Sequence, residues 1–384
     1  MNRQYRLLIL LVTVVVFVTG CGEFDRSAEE KKIKIVVLGD KENFYPDFEL
    51  AVNDAVGDLQ NEYGDLKYDF EVVFYDDDDD YNKGMQYVDA AVKDSEVTAV
   101  IGSANMEINK TAAKMCEENG KIFVTPYFLY DSVFQDNQYS MVFSMCISAR
   151  NVGRLLRNAA VKTTAEKWAV CTSDTTFEME ETRGFVFDEQ DGVTVIDCVD
   201  IDDLINNFDN VLNRWKLLGI EGLVMFPEDD EGFDILKKIK AVIPDLTAAG
   251  DTAFDNSALL DNDEELRSIM SGFIMADEFY FPERMTPDRE REYIALSDRY
   301  SLNHEGYIDI WYFQGYNAVR MIGDTAVKAE TDDPETIAKT LHEEGYDGYV
   351  QSFKFQKNGL SESELDYYGI MNDDGYFEIK YLDE

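Results

Sequence analysis

Histidine and cysteine are scarce in this chain. Its 384 residues include only 2 histidines, His304 and His342, and 5 cysteines without a Cys-x-x-Cys pair. Zinc sites in proteins are usually built from closely spaced cysteine and histidine ligands, so no metal site of that kind is predicted. Both histidines lie in polar segments that look like loop and helix surface, and a histidine-based catalytic triad therefore has little support.

Two motifs of α/β enzymes are also missing. The sequence contains neither the Gly-x-Ser-x-Gly turn of a hydrolase nucleophile nor the Gly-x-x-x-x-Gly-Lys loop, followed by Ser or Thr, that binds phosphate. We therefore predict that the chain is not an enzyme and needs no cofactor. A hydrolase on a similar α/β fold remains the least favoured alternative.

Basic residues are few compared with acidic ones. The sequence has 35 Lys and Arg against 78 Asp and Glu, which gives a formal net charge of −43. Nucleic acid and anionic membrane surfaces are poor partners for such a chain. The simplest interpretation is a heavily solvated acidic surface, and the reason for the extreme acidity stays open because the overall charge does not identify a pocket.

Five successive aspartates, Asp76 to Asp80, follow one apolar segment. They lack the glycine and the distal glutamate of a helix-loop-helix calcium site. A solvated loop that caps the next helix is the preferred interpretation.

The chain begins with the features of a secretion signal. Arg3 and Arg6 precede the apolar run Leu7 to Val18, which is too short to span a bilayer and ends at Thr19-Gly20-Cys21. A cysteine in this place resembles the lipidation site of bacterial lipoproteins, so residues 1–20 are predicted to be removed and Cys21 to carry the lipid anchor. Residues 21–32 are polar and are predicted to be a tether at the extracytoplasmic face of the cell membrane.

Four cysteines remain in the mature chain, at positions 116, 146, 171 and 198. Three of them, Cys146, Cys171 and Cys198, lie in apolar strand-like segments, where a small buried hydrophobic residue is the usual role. A disulfide between Cys171 and Cys198 on neighbouring strands is the open alternative for an exported domain.

Short apolar strands alternate with amphipathic helices along the whole body of the chain. Residues 97 to 129 show the pattern clearly: a strand at Val97 to Ile101, the turn Gly102-Ser103, a helix over Asn109 to Glu118, and a strand from Ile122 that ends at Thr125-Pro126-Tyr127. The same alternation recurs up to Gly250-Asp251-Thr252. This pattern predicts a doubly wound α/β fold, and about 360 mature residues favour two lobes.

The order of these segments resembles the type I periplasmic binding proteins, especially the Leu/Ile/Val-binding branch of ABC-transporter solute receptors. The resemblance covers nearly the whole mature chain and rests on Phe74-Tyr75-Asp76-Asp77, Val100-Ile101-Gly102-Ser103, Val124-Thr125-Pro126, Ile310 to Ala329, Asp333 to Ala338, Phe353 to Phe355 and Asn358-Gly359. It implies two Rossmann-like lobes joined by three crossings of the chain, with residues 33–143 and 277–350 in lobe one and residues 144–276 and 351–384 in lobe two. It also implies a monomer whose lobes close on a ligand held between them.

The resemblance further implies a set of ligand contacts from lobe one. Ser103 matches the serine that binds the ligand carboxylate, although a turn or cap serine is the alternative. Thr125 opens the next turn. Tyr127 and Leu129 stand at the positions after this turn where the family has residues that make polar contacts with the ligand. Both residues depart from the family pattern, which indicates a reshaped pocket. Phe44 and the neighbouring Tyr45 are predicted to form an apolar wall.

Lobe two supplies the remaining candidates. Phe177 stands where the family often has an aromatic residue over the ligand, and Glu228 follows a strand end that can face the cleft. Thr252 matches the position of an acid that pairs with the α-ammonium, which a threonine cannot do. Asp251 or Glu228 is expected to substitute, because a desolvated ammonium needs an anionic partner.

These observations predict an extracytoplasmic, lipid-anchored solute-binding protein. It would capture a small polar ligand, an amino acid or a related compound, and deliver it to the transmembrane subunits of an ABC permease. A surface receptor that reports the ligand to another membrane protein is the alternative on the same fold. The ligand itself and the choice between transport and sensing stay open at this point.

Overall fold

The computed structural model describes residues 30–40, 46–127, 129–135, 137–187, 192–228, 230–276, 285–304, 308, 310–362 and 365–383. The predicted signal peptide, Cys21, Phe44 and Tyr45 lie outside the described residues. The first strand begins at Lys31, so the last two residues of the predicted tether 21–32 belong to the folded domain.

The first sheet has five parallel strands in the order β2-β1-β3-β4-β5. Their bounds are Lys31–Gly39 for β1, Tyr68–Asp76 for β2, Val97–Ile101 for β3, Ile122–Thr125 for β4 and Val142–Ser144 for β5. All residues of β3, β4 and β5 are buried. Continuous apolar runs of this kind are expected in a parallel sheet that is covered by helices on both faces.

Helices cover both faces of the first sheet. One face packs against α1 (Pro46–Tyr63) and against three helices from later in the chain, which we number α12 (Pro287–Asn303), α13 (Ile310–Lys328) and α14 (Pro334–Glu344). The other face packs against α2 (Tyr81–Lys93), α3 (Met106–Glu118) and α4 (Asp131–Gln135). Two distant parts of the sequence therefore build one α/β layer structure.

Capping residues set the starts of two of these helices. The side chain of Asn105 accepts hydrogen bonds from the backbone N–H groups of Glu107 and Ile108, so α3 starts at Met106, three residues before the predicted start at Asn109. Asp80 accepts a hydrogen bond from the N–H of Lys83 and caps α2, which confirms that the aspartate run caps the next helix.

The second sheet has seven strands in the order β14-β13-β10-β9-β8-β6-β7. The strands β6 (Lys167–Thr172), β7 (Thr194–Asp200), β8 (Gly222–Phe226), β9 (Thr247–Gly250) and β10 (Ile274–Met275) are parallel. Strands β13 (Tyr367–Met371) and β14 (Phe377–Tyr381) add an antiparallel edge. This sheet is again a covered, mainly parallel one, as the recurring strand-helix pattern predicts.

The helices of the second sheet are α5 (Ala149–Val161), α6 (Thr176–Phe187), α7 (Ile201–Asn206), α8 (Phe208–Leu218), α9 (Glu231–Val242), α10 (Ser257–Asn262) and α11 (Glu264–Met270). Helices α5 and α6 lie together on one face. Their backbones approach so closely that a Cβ at Gly153 would lie 1.9 Å from the carbonyl oxygen of Glu181, and one at Gly184 would lie 2.0 Å from that of Arg150. The two glycines therefore fix where α6 crosses α5.

Residues 346–361 form a small hairpin and then run beside the first sheet. Strands β11 (Tyr346–Asp347) and β12 (Ser352–Phe353) pair with each other, and the carbonyl oxygen of Gly359 accepts a hydrogen bond from the N–H of Ser144 at 2.9 Å. Leu360 packs in a core of the first sheet and Tyr368 in a core of the second. The lobe boundaries stay a prediction, but these positions favour a third crossing after residue 360 instead of near residue 351.

The disulfide considered from the sequence is absent. Cys171 is the register partner of Val199 and Cys198 is that of Val170, so the two thiols point to opposite faces of the paired strands, and both cysteines are free. Cys171 is buried as predicted. Cys198 is exposed, contrary to the prediction, because β7 is the edge strand of the second sheet.

The polar sequence surroundings of His342 suggest a surface position, but its side chain is half-buried. Its ring lies on the inner side of α14, 4.7 Å from the ring of Phe143, and burial lowers the pKa of the imidazole. In the part of the chain that the structure describes, no helix has both the length and the apolar character needed to cross a membrane.

Candidate functional site

The turn after β3 brings Ser103 to the carboxyl end of the first sheet. Gly102 is required there, because a Cβ would lie 2.4 Å from the side-chain oxygen of Asn109 and 2.8 Å from the ring of Phe123. Ser103 is buried, and its hydroxyl oxygen accepts a hydrogen bond from the N–H of Asn105 at 3.1 Å. The hydroxyl therefore holds the turn that leads into α3.

Asp77 lies beside Ser103. The aspartate run to which it belongs was predicted to be a solvated loop. Asp77 is fully buried at the end of β2, where its N–H donates to the carbonyl oxygen of Gly39 at 3.1 Å. Burial raises the pKa of its carboxyl, and a hydrogen bond from the Ser103 side chain opposes that shift. One oxygen of this carboxyl accepts a hydrogen bond from the N–H of Asp79 at 3.1 Å, and the other, Oδ2, has no hydrogen-bond partner among the described residues.

The predicted contacts after β4 are largely engaged in packing. The Thr125 hydroxyl donates a hydrogen bond to the carbonyl oxygen of Tyr127 at 2.8 Å, which closes the turn. The buried ring of Tyr127 lies between Phe48 and Trp311, with ring centroids 5.2 and 5.1 Å away. Leu129 belongs to the core on the other face of the sheet. Direct contact of Thr125 or Tyr127 with a ligand stays a prediction.

Three candidates from the second sheet are at least partly accessible. Phe177 is half-buried in the first turn of α6, and Glu228 is exposed after β8, where its N–H donates to the hydroxyl oxygen of Ser173 at 3.1 Å. Thr252 is exposed in the 3-10 turn Thr252–Phe254 that follows β9. Their positions at carboxyl ends of parallel strands match the place where ligands bind in open α/β sheets.

Asp251 differs from these three because it is only 4% exposed. One of its carboxylate oxygens accepts a hydrogen bond from the N–H of Ala253 at 3.1 Å. Burial raises the pKa of Asp251 to about 6, and the Glu181 side chain and the Ala253 N–H oppose that shift. The acid next to the expected ammonium position is therefore a buried one.

Glu178 and Glu181 on α6 complete the acidic cluster with Asp251, which we call the acid cluster. Glu181 is 1% and Glu178 is 8% exposed, and among the residues that the structure describes neither Oε2 atom has a hydrogen-bond donor. Burial raises the pKa of Glu178 to about 7. Burial and the neighbouring Asp251 raise the pKa of Glu181 well above its usual range.

The sequence analysis missed both glutamates, because acids on a helix are usually solvated. Spacing was the available signal: Glu178, Glu181 and the core residue Phe185 lie three and four positions apart and so share one face of α6. Within the described residues, no group of three or more His, Cys, Asp or Glu side chains is arranged to hold a metal ion.

A further carboxylate joins α6 to the first sheet. The side chain of Glu180 accepts hydrogen bonds from the N–H groups of Asp131 and Ser132, at 2.5 and 2.9 Å. Asp131 in turn accepts a hydrogen bond from the N–H of Arg150 at 3.2 Å, and burial followed by the nearby Glu180 raises its pKa to about 6. Elements of the two sheets therefore meet next to the acid cluster.

Solved structures with the same architecture bind different small molecules. An ABC transporter substrate-binding protein from Desulfitobacterium hafniense in complex with leucine has a TM-score of 0.77 and 19% identity, covering 91% of this chain and 100% of that one. LivJ from Streptococcus pneumoniae in complex with isoleucine has a TM-score of 0.66 and 16% identity, covering 91% and 100%. A solute binding protein from R. palustris in complex with benzoate has a TM-score of 0.66 and 14% identity, covering 91% and 95%. These similarities show the two-lobed fold.

Sequence comparison gives the family. A search of curated proteins found no significant match. A family model described as "Periplasmic binding protein" matches residues 33–365, which is most of the chain. The strand-end site and the two doubly wound sheets agree with that match, and the protein belongs to the periplasmic binding protein family, whose members are extracytoplasmic solute-binding proteins and not enzymes.

Proposed function

We propose that this protein captures a small polar ligand with a positively charged group, such as an amino acid, between its two sheets and delivers it to an ABC permease. The observation that carries the proposal is the acid cluster at the carboxyl ends of β6 and β9. Buried carboxylates are costly unless a cation or hydrogen-bond donors compensate them, so their position at the ligand-binding edge favours a cationic group.

Other features of the site fit the same ligand class. Phe177 lies four residues before Glu181, so it is placed on the same side of α6 and can cover the apolar part of a ligand. Ser103 follows β3 of the first sheet and offers a hydroxyl group for a ligand carboxylate. The related proteins bind leucine, isoleucine and benzoate, and benzoate has no ammonium, so the acid cluster is the feature that selects among these ligand classes.

Identification of the ligand tests this proposal. Protein purified from its native host or from rich medium is denatured, and the released small molecules are identified by mass spectrometry. A thermal-shift screen with L-leucine, L-isoleucine, L-lysine and benzoate follows. We expect an amine-containing ligand whose affinity falls by roughly 100-fold or more in Asp251→Asn, since a buried ion pair is lost.

A matched control separates this effect from the loss of any one negative charge. Asp209→Asn removes an exposed acid in the first turn of α8, which is not part of the acid cluster, and should leave the affinity unchanged. A natural ligand without a positive charge, or equal affinities of Asp251→Asn and the parent protein, would contradict the proposed ligand class.

We also propose that Cys21 anchors the mature protein to the membrane by its lipid, since the segment before it has the features of a lipoprotein signal. Two acyl chains are sufficient for stable anchoring. Cys21→Ser should release the protein into the medium or leave its signal uncleaved. Unchanged radioactive lipid labelling of this variant in cells would refute the anchor.

A further inference from the structure

We propose that a cavity between the start of α5 and the segment after β12 is a second ligand site, and that it binds an anion with several hydroxyl groups, such as a sugar acid or a sugar phosphate. This inference goes beyond the proposed function, because none of the described residues that line the cavity belongs to the acid cluster or to the turn at Ser103.

The cavity has the size of a small-molecule site. Its volume is about 860 Å³, and such sites usually measure about 300 to 1,000 Å³. Its walls come from α4 and the residues that follow it, from the first turns of α5, and from residues 356–362. Phe134 and Leu360 belong to a core of the first sheet, whereas α5 packs on the second. The cavity therefore lies where elements of both sheets meet.

The described residues that line the cavity differ in charge from the rest of the chain. Three are basic and two are acidic, whereas the whole sequence has more than twice as many acidic as basic residues. The basic residues are Arg150, Arg154 and Lys357, and the acids are Asp131 and Glu362. Glu362 is exposed, so solvent screens its charge. The cavity therefore favours an anion in a protein whose overall charge repels one.

Two of the basic side chains are not engaged elsewhere. Among the residues that the structure describes, neither the Arg150 guanidinium nor the Lys357 ammonium has a hydrogen-bond or ion-pair partner, unlike Arg320, which binds Glu62 at 2.8 Å. Arg154 lies one turn after Arg150 on α5. Guanidinium groups bind carboxylates and phosphates through two parallel hydrogen bonds, so these side chains suit either anionic group.

The other lining groups fit hydroxyl groups. Six of the described lining residues are Asn or Gln, whose amides donate and accept hydrogen bonds as hydroxyl groups do. Asp131 is only 2% exposed, and its Oδ1 has no hydrogen-bond partner in the described part of the chain. A buried acceptor without a partner is unfavourable, so an occupant that donates a hydrogen bond to it is stabilised. A hydroxyl group can do this without the positive charge that the basic side chains repel.

Hydrogen bonds join the three walls of the cavity. Asn358 donates from its side chain to the carbonyl oxygen of Phe134 at 2.9 Å, which connects the segment after β12 to α4. The Oδ2 atom of Asp131 accepts the N–H of Arg150 at 3.2 Å, which connects α4 to α5. A site whose walls are held in place before binding loses less entropy when a ligand enters.

Titration calorimetry of the mature protein tests the site with defined probes. D-Glucuronate, D-glucose 6-phosphate, D-glucose and inorganic phosphate are titrated at an ionic strength of about 0.15 M, which screens the long-range repulsion by the acidic surface. At least one sugar anion should bind at least about tenfold more tightly than glucose, which lacks the charge, and than phosphate, which lacks the hydroxyl groups. The sugar anion that binds more tightly shows whether a carboxylate or a phosphate is preferred.

Two variants locate the bound anion. Arg150→Gln and Lys357→Gln should each lower the affinity for that sugar anion by roughly 10- to 150-fold, because a hydrogen bond to a charged group is lost. Neither side chain is buried, so both variants should unfold at the same temperature as the parent protein. Lys354→Gln removes an exposed lysine of the same segment that is not among the lining residues, and it should bind as the parent protein does.

Three results would overturn this inference. The first is that neither sugar anion binds at millimolar concentration. The second is equal affinity of Arg150→Gln, Lys357→Gln and the parent protein, because the anion would then bind elsewhere. The third is that glucose or inorganic phosphate binds as tightly as the sugar anions, because the charge or the hydroxyl groups would then not be recognised. None of these results bears on the ligand of the acid cluster, which Asp251→Asn tests separately.

Discussion

At the residue scale, one side chain can serve the fold and a ligand in turn. Ser103 stands where the family resemblance expects a contact with the ligand carboxylate, yet its hydroxyl oxygen accepts the N–H of Asn105. This contact is that of a turn serine, since Asn105 caps α3. Affinity and stability therefore have to be measured on the same variant to assign its role.

We expect Ser103→Ala to destabilise the protein. Loss of the hydroxyl leaves the partly buried N–H of Asn105 short of its partner, which typically costs about 1 to 3 kcal/mol of unfolding free energy. The Ser103 side chain also lowers the raised pKa of Asp77, so the deficit should be larger at neutral pH than below the pKa of that carboxyl. Denaturant unfolding at both pH values measures it.

A control variant shows whether the loss of stability is specific to Ser103. Ser95→Ala alters an exposed loop serine at the opposite end of β3 and should leave stability unchanged. If Ser103→Ala keeps its stability while calorimetry shows a loss of affinity of roughly 10- to 150-fold, the serine is a ligand contact and not a cap.

At the element scale, periodicity predicted the strands better than the helix ends. Strand β3 has the predicted bounds, because a short β-branched and apolar run that ends at a glycine is distinctive. Helix α3 begins three residues before its predicted start, and α7 and α8 are separate helices that meet at Asn207, whose side chain donates to the carbonyl oxygen of Asp203. Asparagine bonds to backbone groups in this way and so interrupts helices.

The candidate site was predictable only where it follows the strand ends. Ser103, Thr125 and Asp251 were found because a strand-end rule applies to any parallel sheet. Glu178 and Glu181 were not, because only the tertiary crossing of α5 and α6 at Gly153 and Gly184 presses that face of α6 into the interior. The spacing of residues along a helix predicts which of its faces is buried. It does not predict which acid from a distant part of the chain will contact that face.

At the scale of the whole molecule, the net charge and the buried acid cluster would both favour a cationic ligand. The formal net charge of −43 attracts cations over a long range at low ionic strength. Exposed acids are screened by salt, so under the proposed function selectivity requires the buried acid cluster in addition. The surface would then affect the rate of encounter, while Asp251 and its neighbours would decide which ligand stays bound.

Closure of the two lobes around the ligand is the last prediction. Glu180 of α6 already accepts two backbone hydrogen bonds from the start of α4, so the conformation described has contacts between the two sheets beside the acid cluster. A cation that binds the cluster and a carboxylate that binds the first sheet would stabilise this arrangement further. Small-angle scattering should accordingly show a smaller radius of gyration at saturating ligand.

Glu180→Ala tests whether these contacts contribute to closure. It removes the acceptor of both N–H groups and lowers the population of the closed state, so the apparent dissociation constant should rise in inverse proportion to that population. Glu166→Ala, an exposed acid just before β6, is the matched control and should bind as the parent protein does. Since closure depends on the ligand bridging the two sheets, an unchanged radius of gyration with a confirmed, saturating ligand would show that this protein binds without hinge motion.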